Sequence, residues 1–261
     1  MAILNLKGRY FRFYPTGNPL GYIEEDLSLD STKTAFLLVD VYGPHFAKKS
    51  PAPAYRTSKF FDEAHLSEKE FELKNDVVVN HIKPALDAAR KIGLSIVYVN
   101  NSSPRIALLR SEYGKMLEKA EDMKVEEVFS EECVDAKEYV YGQSKHLRLS
   151  PIIAPQKGDF FIRKHVYSGF FDSRLDTLLR NLEIKNLICV GFRVDVCLLT
   201  TMLDALYQNY KVILIRDCTL ACELPEEIEG LKFTKRMTKW VECFIGSTIT
   251  STDFIKACRM R

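Results

Sequence analysis

Three side chains in this sequence have the types and addresses of reacting groups. Cys197 follows the apolar run Asn186-Leu-Ile-Cys-Val190, which has the length of a buried strand, and then Gly191. From Asp195 onward Val196, Leu199, Met202 or Leu203, and Leu206 recur at helical spacing. The thiol therefore falls in the first turn of a helix. Unpaired backbone N–H groups and the positive end of the helix dipole favour its ionisation there. Asp40 comes directly after Thr34-Ala-Phe-Leu-Leu-Val39, and Lys164 follows Asp159-Phe-Phe-Ile162 and Arg163. Both runs read as strands, so both charges sit at carboxyl ends of strands, where open α/β sheets bind ligands.

An acid, an amine and a thiol suffice for acyl transfer. Cys197 attacks a carbonyl carbon as thiolate, and a carboxylate takes its proton and returns it to the leaving nitrogen. Lys164 lowers the thiol pKa and stabilises developing negative charge. Backbone N–H groups in the turn before the helix bind the oxyanion, a contribution of ~3 kcal/mol per donor. Each residue also has a plainer alternative: a packed core thiol, a strand-end Asp or helix cap, and a solvated strand-end Lys.

The elements that position these groups alternate between β and α. Asn75 or Asp76 caps a helix reaching Ile92, with Val78, Ile82, Leu86 and Ala89 on one face and Gly93 as its stop. Pro84 is expected to kink that helix, or to mark a later start. Leu94 to Val99 is the next strand, with Asn100 and Asn101 at its carboxyl end. Leu175 to Leu182 is a helix and Lys211 to Ile215 a strand. A helix around Glu226 to Trp240, a short strand near Cys243 to Ile245 and a helix from Thr252 complete the chain. This order predicts an α/β fold: a doubly wound, mostly parallel sheet with helices on both faces.

Residues 1–33, with Tyr10, Phe11, Phe13 and Tyr14 among prolines and glycines, read as an irregular N-terminal arm lying on the domain or on a partner subunit. Residues 34–261 read as a single domain, interrupted by a helical, charged insertion at about 102–150. Residues 42–73 form a long polar loop able to cover a site.

A chain of 261 residues, 46% hydrophobic and 28% charged, has the composition of an ordinary soluble globular protein. Its net charge of +2 argues against a nucleic-acid or membrane-surface binder, and the basic cluster at Lys232 to Lys239 reads as a solvated helix face. The seven cysteines show neither CxxC nor Cys/His metal spacing. No secretion signal and no membrane-length apolar run is legible, so the expected setting is a reducing cytoplasm. Cys189, Cys218, Cys243 and Cys258 read as packed core thiols.

Gly191-Phe-Arg-Val-Asp-Val-Cys197 resembles the Gly-x-Ala-Thr-Asp/Asn-x-Cys turn of the isochorismatase-like cysteine hydrolases. Leu37-Leu-Val-Asp40 resembles their first strand with its aspartate, and Lys164-His-Val-Tyr-Ser-Gly-Phe-Phe171 their lysine segment. The Tyr-Ser-Gly-Phe-Phe run is especially similar to the ureidoacrylate amidohydrolase branch. The resemblance implies a Cys-Asp-Lys amidohydrolase that splits a C–N bond of a small linear amide or ureido compound through a thioester, releasing ammonia or an amine. It makes Cys197 the nucleophile, Asp40 the general base and acid, and Lys164 the charge stabiliser. It puts the oxyanion donors on the backbone of Arg193 and Cys197, and a cis peptide between Phe192 and Arg193. Tyr167, Phe170 and Phe171 would shape the pocket, and Asn101 would hydrogen-bond the substrate. It implies a homo-oligomer.

No cofactor is expected, and no metal, because the nicotinamidase branch's cluster has no clear counterpart near His45 or His65. His165, next to Lys164, is expected to face the other way. Three positions depart from the family pattern: Tyr42 for Gln, Arg193 for a small residue, and Val194 for Thr. Alternatives are an amidase of the N-carbamoyl amino acid, biuret or nicotinamide type, or a non-catalytic oligomeric member. An ether-cleaving isochorismatase is disfavoured by the presence of Cys197.

Overall fold

The computed structural model describes residues 3–41, 68–101, 111–121 and 149–260. Its strands are β1 (Ile3–Arg12), β2 (Gly21–Asp30), β3 (Thr34–Val39), β4 (Ser95–Asn101), β5 (Phe160–Lys164), β6 (Asn186–Gly191), β7 (Lys211–Ile215) and β8 (Ser247–Ile249). They form one sheet in the order β2-β1-β8-β7-β6-β3-β4-β5. From β3 to β8 every neighbouring pair is parallel. The chain lays down β3, β4 and β5 in one direction, then returns to the other side of β3 for β6, β7 and β8. The order therefore reverses between β3 and β6, and the crevice at their carboxyl ends is the topological switch point of the sheet.

Both faces of the sheet are covered, which is why β3, β4 and β6 read as continuous apolar runs. On one face Phe36, Leu38 and Ile188 pack with Ile82, Leu86 and Phe254. These come from α2 (Lys83–Lys91), the helical turn before it, and α7 (Ser251–Arg259). On the other face Leu37, Val97 and Cys189 pack with Leu175, Leu198, Met202 and Val241. These belong to α4 (Leu175–Asn181), α5 (Cys197–Tyr207) and α6 (Lys232–Phe244). Two further helices are α1 (Glu68–Asp76) and α3 (Glu112–Glu121), the latter inside the expected insertion. Among the described residues no helix is long and apolar enough to cross a membrane.

Several boundaries differ from the sequence expectation, each for a physical reason. Residues 3–30 are not irregular: β1 and β2 pair antiparallel over their full length and extend the sheet. Leu4 and Leu6, and Leu27 and Leu29, alternate inward as strand residues do, and the Pro/Gly-rich segment is the exposed hairpin tip. Buried Glu242 of α6 holds the hairpin on, accepting from Arg9 Nε at 2.8 Å and Thr248 Oγ1 at 2.6 Å. The helix expected to start at Asn75 or Asp76 begins at Glu68, and Asp76 has helical dihedrals and caps nothing. Pro84, which lacks an N–H, is accommodated by a π-helical stretch at Val77–Ile82 instead of ending the helix. In α5 the buried residues are Cys197, Leu198, Thr201, Met202 and Ala205, while Leu206 is 36% exposed. That helix is apolar on two sides, so of the residues expected from spacing Met202 is buried while Val196, Leu199 and Leu203 are half-buried. The helix expected around Glu226 starts at Lys232, after a turn in which Leu231 adopts φ 51°.

Gly191 ends β6 with φ +120°, and a Cβ there would lie 2.0 Å from the Val39 carbonyl oxygen. Only glycine allows β3 and the turn after β6 to approach this closely. Gly191→Ala should therefore cost roughly 3 kcal/mol or more in urea denaturation, whereas Gly230→Ala, strained but unobstructed, should cost about 1 kcal/mol. Equal losses at the two positions would contradict the close-approach argument.

Candidate active site

Asp40 is the first residue past β3, and its φ of 49° turns the chain off the sheet. Its backbone N–H still donates to Val99 at 2.9 Å, so the side chain stays fixed beside β4. Lys164 is the last residue of β5, two strands away, and is completely buried. Its Nζ reaches back across β4 to within 2.8 Å of Asp40 Oδ2. A buried lysine is tolerable only when paired, and here the partner is the carboxylate.

Asn101, at the end of β4 between them, grips both. Its backbone N–H donates to Asp40 Oδ1 at 3.0 Å, and its side-chain oxygen accepts from Lys164. Lys164 also donates to the Val166 carbonyl at 3.1 Å. Asn101, for which the resemblance implied a substrate contact, thus also organises the acid and the amine.

Cys197 opens α5 and is 9% exposed. Lys164 and Asp40 are the two charged residues that act on its thiol. The three residues picked from sequence therefore converge at the crevice between β3 and β6. The ionisation expected of the thiol does not follow. Burial is the largest influence and pushes the Cys197 pKa up, Lys164 pulls it down, and Asp40 pushes it up again, leaving it above the ordinary thiol value. Desolvation outweighs the helix end and the neighbouring cation. For Lys164, burial works to lower the pKa, but Asp40 and then Cys197 raise it, and the amine stays charged. The resting arrangement is thus a neutral thiol beside an ion pair. Asp40 Oδ2 faces the Lys164 charge and is placed to receive the thiol proton.

The peptide bond between Phe192 and Arg193 is cis, as the resemblance implied. Around it Gly191, Phe192 and Val194 donate to the carbonyls of Cys218, Val39 and Leu220. The Arg193 carbonyl accepts from Val196 at 3.0 Å and Leu198 at 3.1 Å, closing the start of α5. Among the described residues the N–H groups of Arg193 and Cys197 donate to no backbone carbonyl. Those are the two groups an oxyanion site needs.

The remaining expected residues divide. Tyr167 is half-buried and meets Tyr113 of α3 edge-on at 5.0 Å, so the insertion helix adjoins the lysine segment. Phe170 is a buried residue whose ring packs 5.8 Å from that of Tyr210, and Phe171 is 61% exposed. His165 is half-buried. Tyr42, His45 and His65 lie outside the described residues.

Two participants had no sequence signal strong enough to single them out. Buried Thr201 donates to the Cys197 carbonyl at 2.7 Å and accepts from Gly169 N–H at 2.9 Å, tying the lysine segment to the nucleophile's helix. Lys74 of α1 stands with its Nζ 4.9 Å from the centre of the Phe192 ring. Burial, then Arg193, lower its pKa to about 8, with Asp40 among the charges that oppose the shift.

A model of the isochorismatase domain matches residues 59–243, and the chain belongs to the isochorismatase family. Over 233 residues it is 27% identical to the ureidoacrylate amidohydrolase RutB of Caulobacter vibrioides, covering 88% of this chain and 93% of that one. A 103-residue stretch is 35% identical to the Variovorax paradoxus protein of that name, covering 40% of this chain and 38% of the relative. In the Variovorax and Azorhizobium caulinodans alignments the chain thus spans under half of the relative's length, 38% and 44%. Among solved structures, a cysteine hydrolase from Pseudomonas syringae pv. phaseolicola superposes with a TM-score of 0.66 at 21% identity, over 89% of this chain and 95% of the other. The N-carbamoylsarcosine amidase of Thermoplasma acidophilum gives 0.51 at 21% identity, over 84% and 96%. The fold is that of the isochorismatase-like hydrolases.

A thiol with a raised pKa has a simple signature. Alkylation of Cys197 by iodoacetamide, followed by peptide mapping, should rise about tenfold per pH unit between pH ~7 and ~9, because the thiolate fraction grows tenfold per unit below the pKa. A plateau near pH ~7 would mean a preformed thiolate and would contradict the neutral resting state.

Proposed function

We propose that this protein is a cysteine amidohydrolase that cleaves a C–N bond of a small linear amide or ureido compound. The observation that carries the reading is the meeting of Asp40, Lys164 and Cys197 at the switch point, next to two uncommitted backbone N–H groups. Family membership and the similarity to proteins named ureidoacrylate amidohydrolase support it, and favour a ureidoacrylate-like substrate.

The chemistry follows from the resting state. Substrate binding brings a carbonyl carbon to the Cys197 sulfur and its oxygen to the N–H groups of Arg193 and Cys197. The sulfur attacks as its proton passes to Asp40, so a free thiolate need never accumulate. Lys164 keeps its charge and offsets the negative charge that builds on the tetrahedral centre. Asp40 then gives the proton to the departing nitrogen; the C–N bond breaks, and ammonia or an amine leaves a thioester on Cys197. Asp40, again a carboxylate, takes a proton from an attacking water, the C–S bond breaks, and Asp40 returns that proton to the departing Cys197 sulfur. The balance is one amide and one water in, one acid and one ammonia or amine out. Because Asp40 is both acid and base while Lys164 holds it in place, the two are not interchangeable with other charges of the same sign.

The test is ammonia release from a panel of ureidoacrylate, N-carbamoyl amino acids, biuret and nicotinamide. The expected result is turnover of at least one ureido compound, reduced ~10³-fold or more in Cys197→Ala. Turnover that survives this substitution would remove Cys197 from the chemistry. No turnover of any member, with the protein folded, would favour the non-catalytic alternative.

A further inference from the structure

Arg193 stands where the family pattern has a small residue, and its backbone N–H is one of the two proposed oxyanion donors. Its guanidinium is 19% exposed and does not reach toward solvent. One arm donates to Glu70 of α1, itself 17% exposed, and the other to the Ala221 carbonyl at 2.7 Å in the loop after β7. Burial works against the Arg193 charge, but the neighbouring groups, Cys222 and Glu70 first, more than compensate, so the guanidinium stays charged. Arg193 is thus held at both ends of the residue. Its carbonyl closes the start of α5, and its side chain is fastened to α1 and to the loop.

We propose that Glu70 is a positioning residue that acts through Arg193 to hold the oxyanion donor in place; this rests on the amidohydrolase reading. Without its carboxylate the enclosed guanidinium keeps the neutral Ala221 carbonyl as its hydrogen-bond partner, and a largely desolvated charge that has lost its ion-pair partner is strongly unfavourable. Losing Glu70 obliges the Arg193 side chain to turn toward another anion or toward water. That movement pivots on the Cα that carries the donor N–H. A small residue at this position needs no such fastening, because it has no charge to place. The anchor is therefore a consequence of this chain's own departure from the family pattern.

Oxyanion positioning is separable from nucleophile reactivity with two probes of one thiol. p-Nitrophenyl acetate acylates through a tetrahedral oxyanion and, being an activated ester, does not depend on amide specificity. Iodoacetamide alkylates by displacement at carbon and forms no oxyanion. In Glu70→Ala, acylation of Cys197 should slow by about tenfold or more, while alkylation stays within about twofold of the parent. Glu70→Gln keeps an acceptor for Arg193 and should recover part of the loss, and it serves as the test variant if Glu70→Ala does not fold. Because Glu70 acts through Arg193, adding Glu70→Ala to an Arg193→Ala background should change neither rate. The proposal is overturned if acylation and alkylation fall together, if neither changes, or if Glu70→Ala has its full effect in the Arg193→Ala background. Cys197→Ala separates the two levels: if acylation persists without the thiol, the amidohydrolase reading fails and takes this inference with it.

Discussion

The ion pair between Asp40 and Lys164 is the contact on which the rest of the site depends. Both groups are nearly or completely removed from water, at 3% and 0% exposure, and neither is tolerable alone. The sheet brings them together. β3 and β5 each end in a charge, β4 lies between them, and Asn101 at its carboxyl end binds one partner by its backbone and the other by its side chain. Removing one charge of such a buried pair typically costs about 3–5 kcal/mol, because it leaves the other uncompensated. A hydrophobic pair of similar volume would hold the strands at least as well.

The pair also sets the state of the thiol. Enclosure raises the Cys197 pKa, and the neighbouring lysine reduces that effect without overcoming it. In the proposed mechanism the nucleophile is stored as a neutral thiol next to a carboxylate that can take its proton. Such storage ties activation to the arrival of a carbonyl: proton transfer becomes favourable as negative charge moves from sulfur onto an oxygen held by backbone N–H groups. Lys164 faces both charges and can stabilise whichever is present. One residue type at each address is enough, provided that the distances are fixed by strands and not by loops.

Much of this was legible in the sequence, because the addresses follow from local rules. An apolar run that ends in Asp40, another that leads to Lys164, and a strand–turn–helix around Cys197 all place side chains at one edge of a parallel sheet. What the sequence did not disclose depends on neighbours distant along the chain. Helix position alone implied an easily ionised thiol; enclosure by other elements reversed the sign. The hydrogen bonds that join Asn101 to Asp40 and Lys164 were not visible either, because both partners are far from it in sequence. The ion pair from Arg193 to Glu70 joins elements on either side of β4 and β5, and no spacing rule connects them. The hairpin of β1 and β2 was obscured by a tip rich in proline and aromatics, although Leu4, Leu6, Leu27 and Leu29 alternate as strand residues should. Phe170 and Phe171 share a motif but not a surroundings, one in the core and one in solvent.

The most direct measurement is mass spectrometry of the acid-quenched protein during turnover of a ureido or amide substrate. The account predicts an acyl adduct, of the mass of the substrate's acyl part, on the peptide that contains Cys197. Added hydroxylamine should remove it, and Asp40→Asn should prevent its formation. Continued turnover with no adduct on that peptide under any quench, or with the adduct on a different cysteine, would contradict the central claim that Asp40, Lys164 and Cys197 act as one acyl-transfer site.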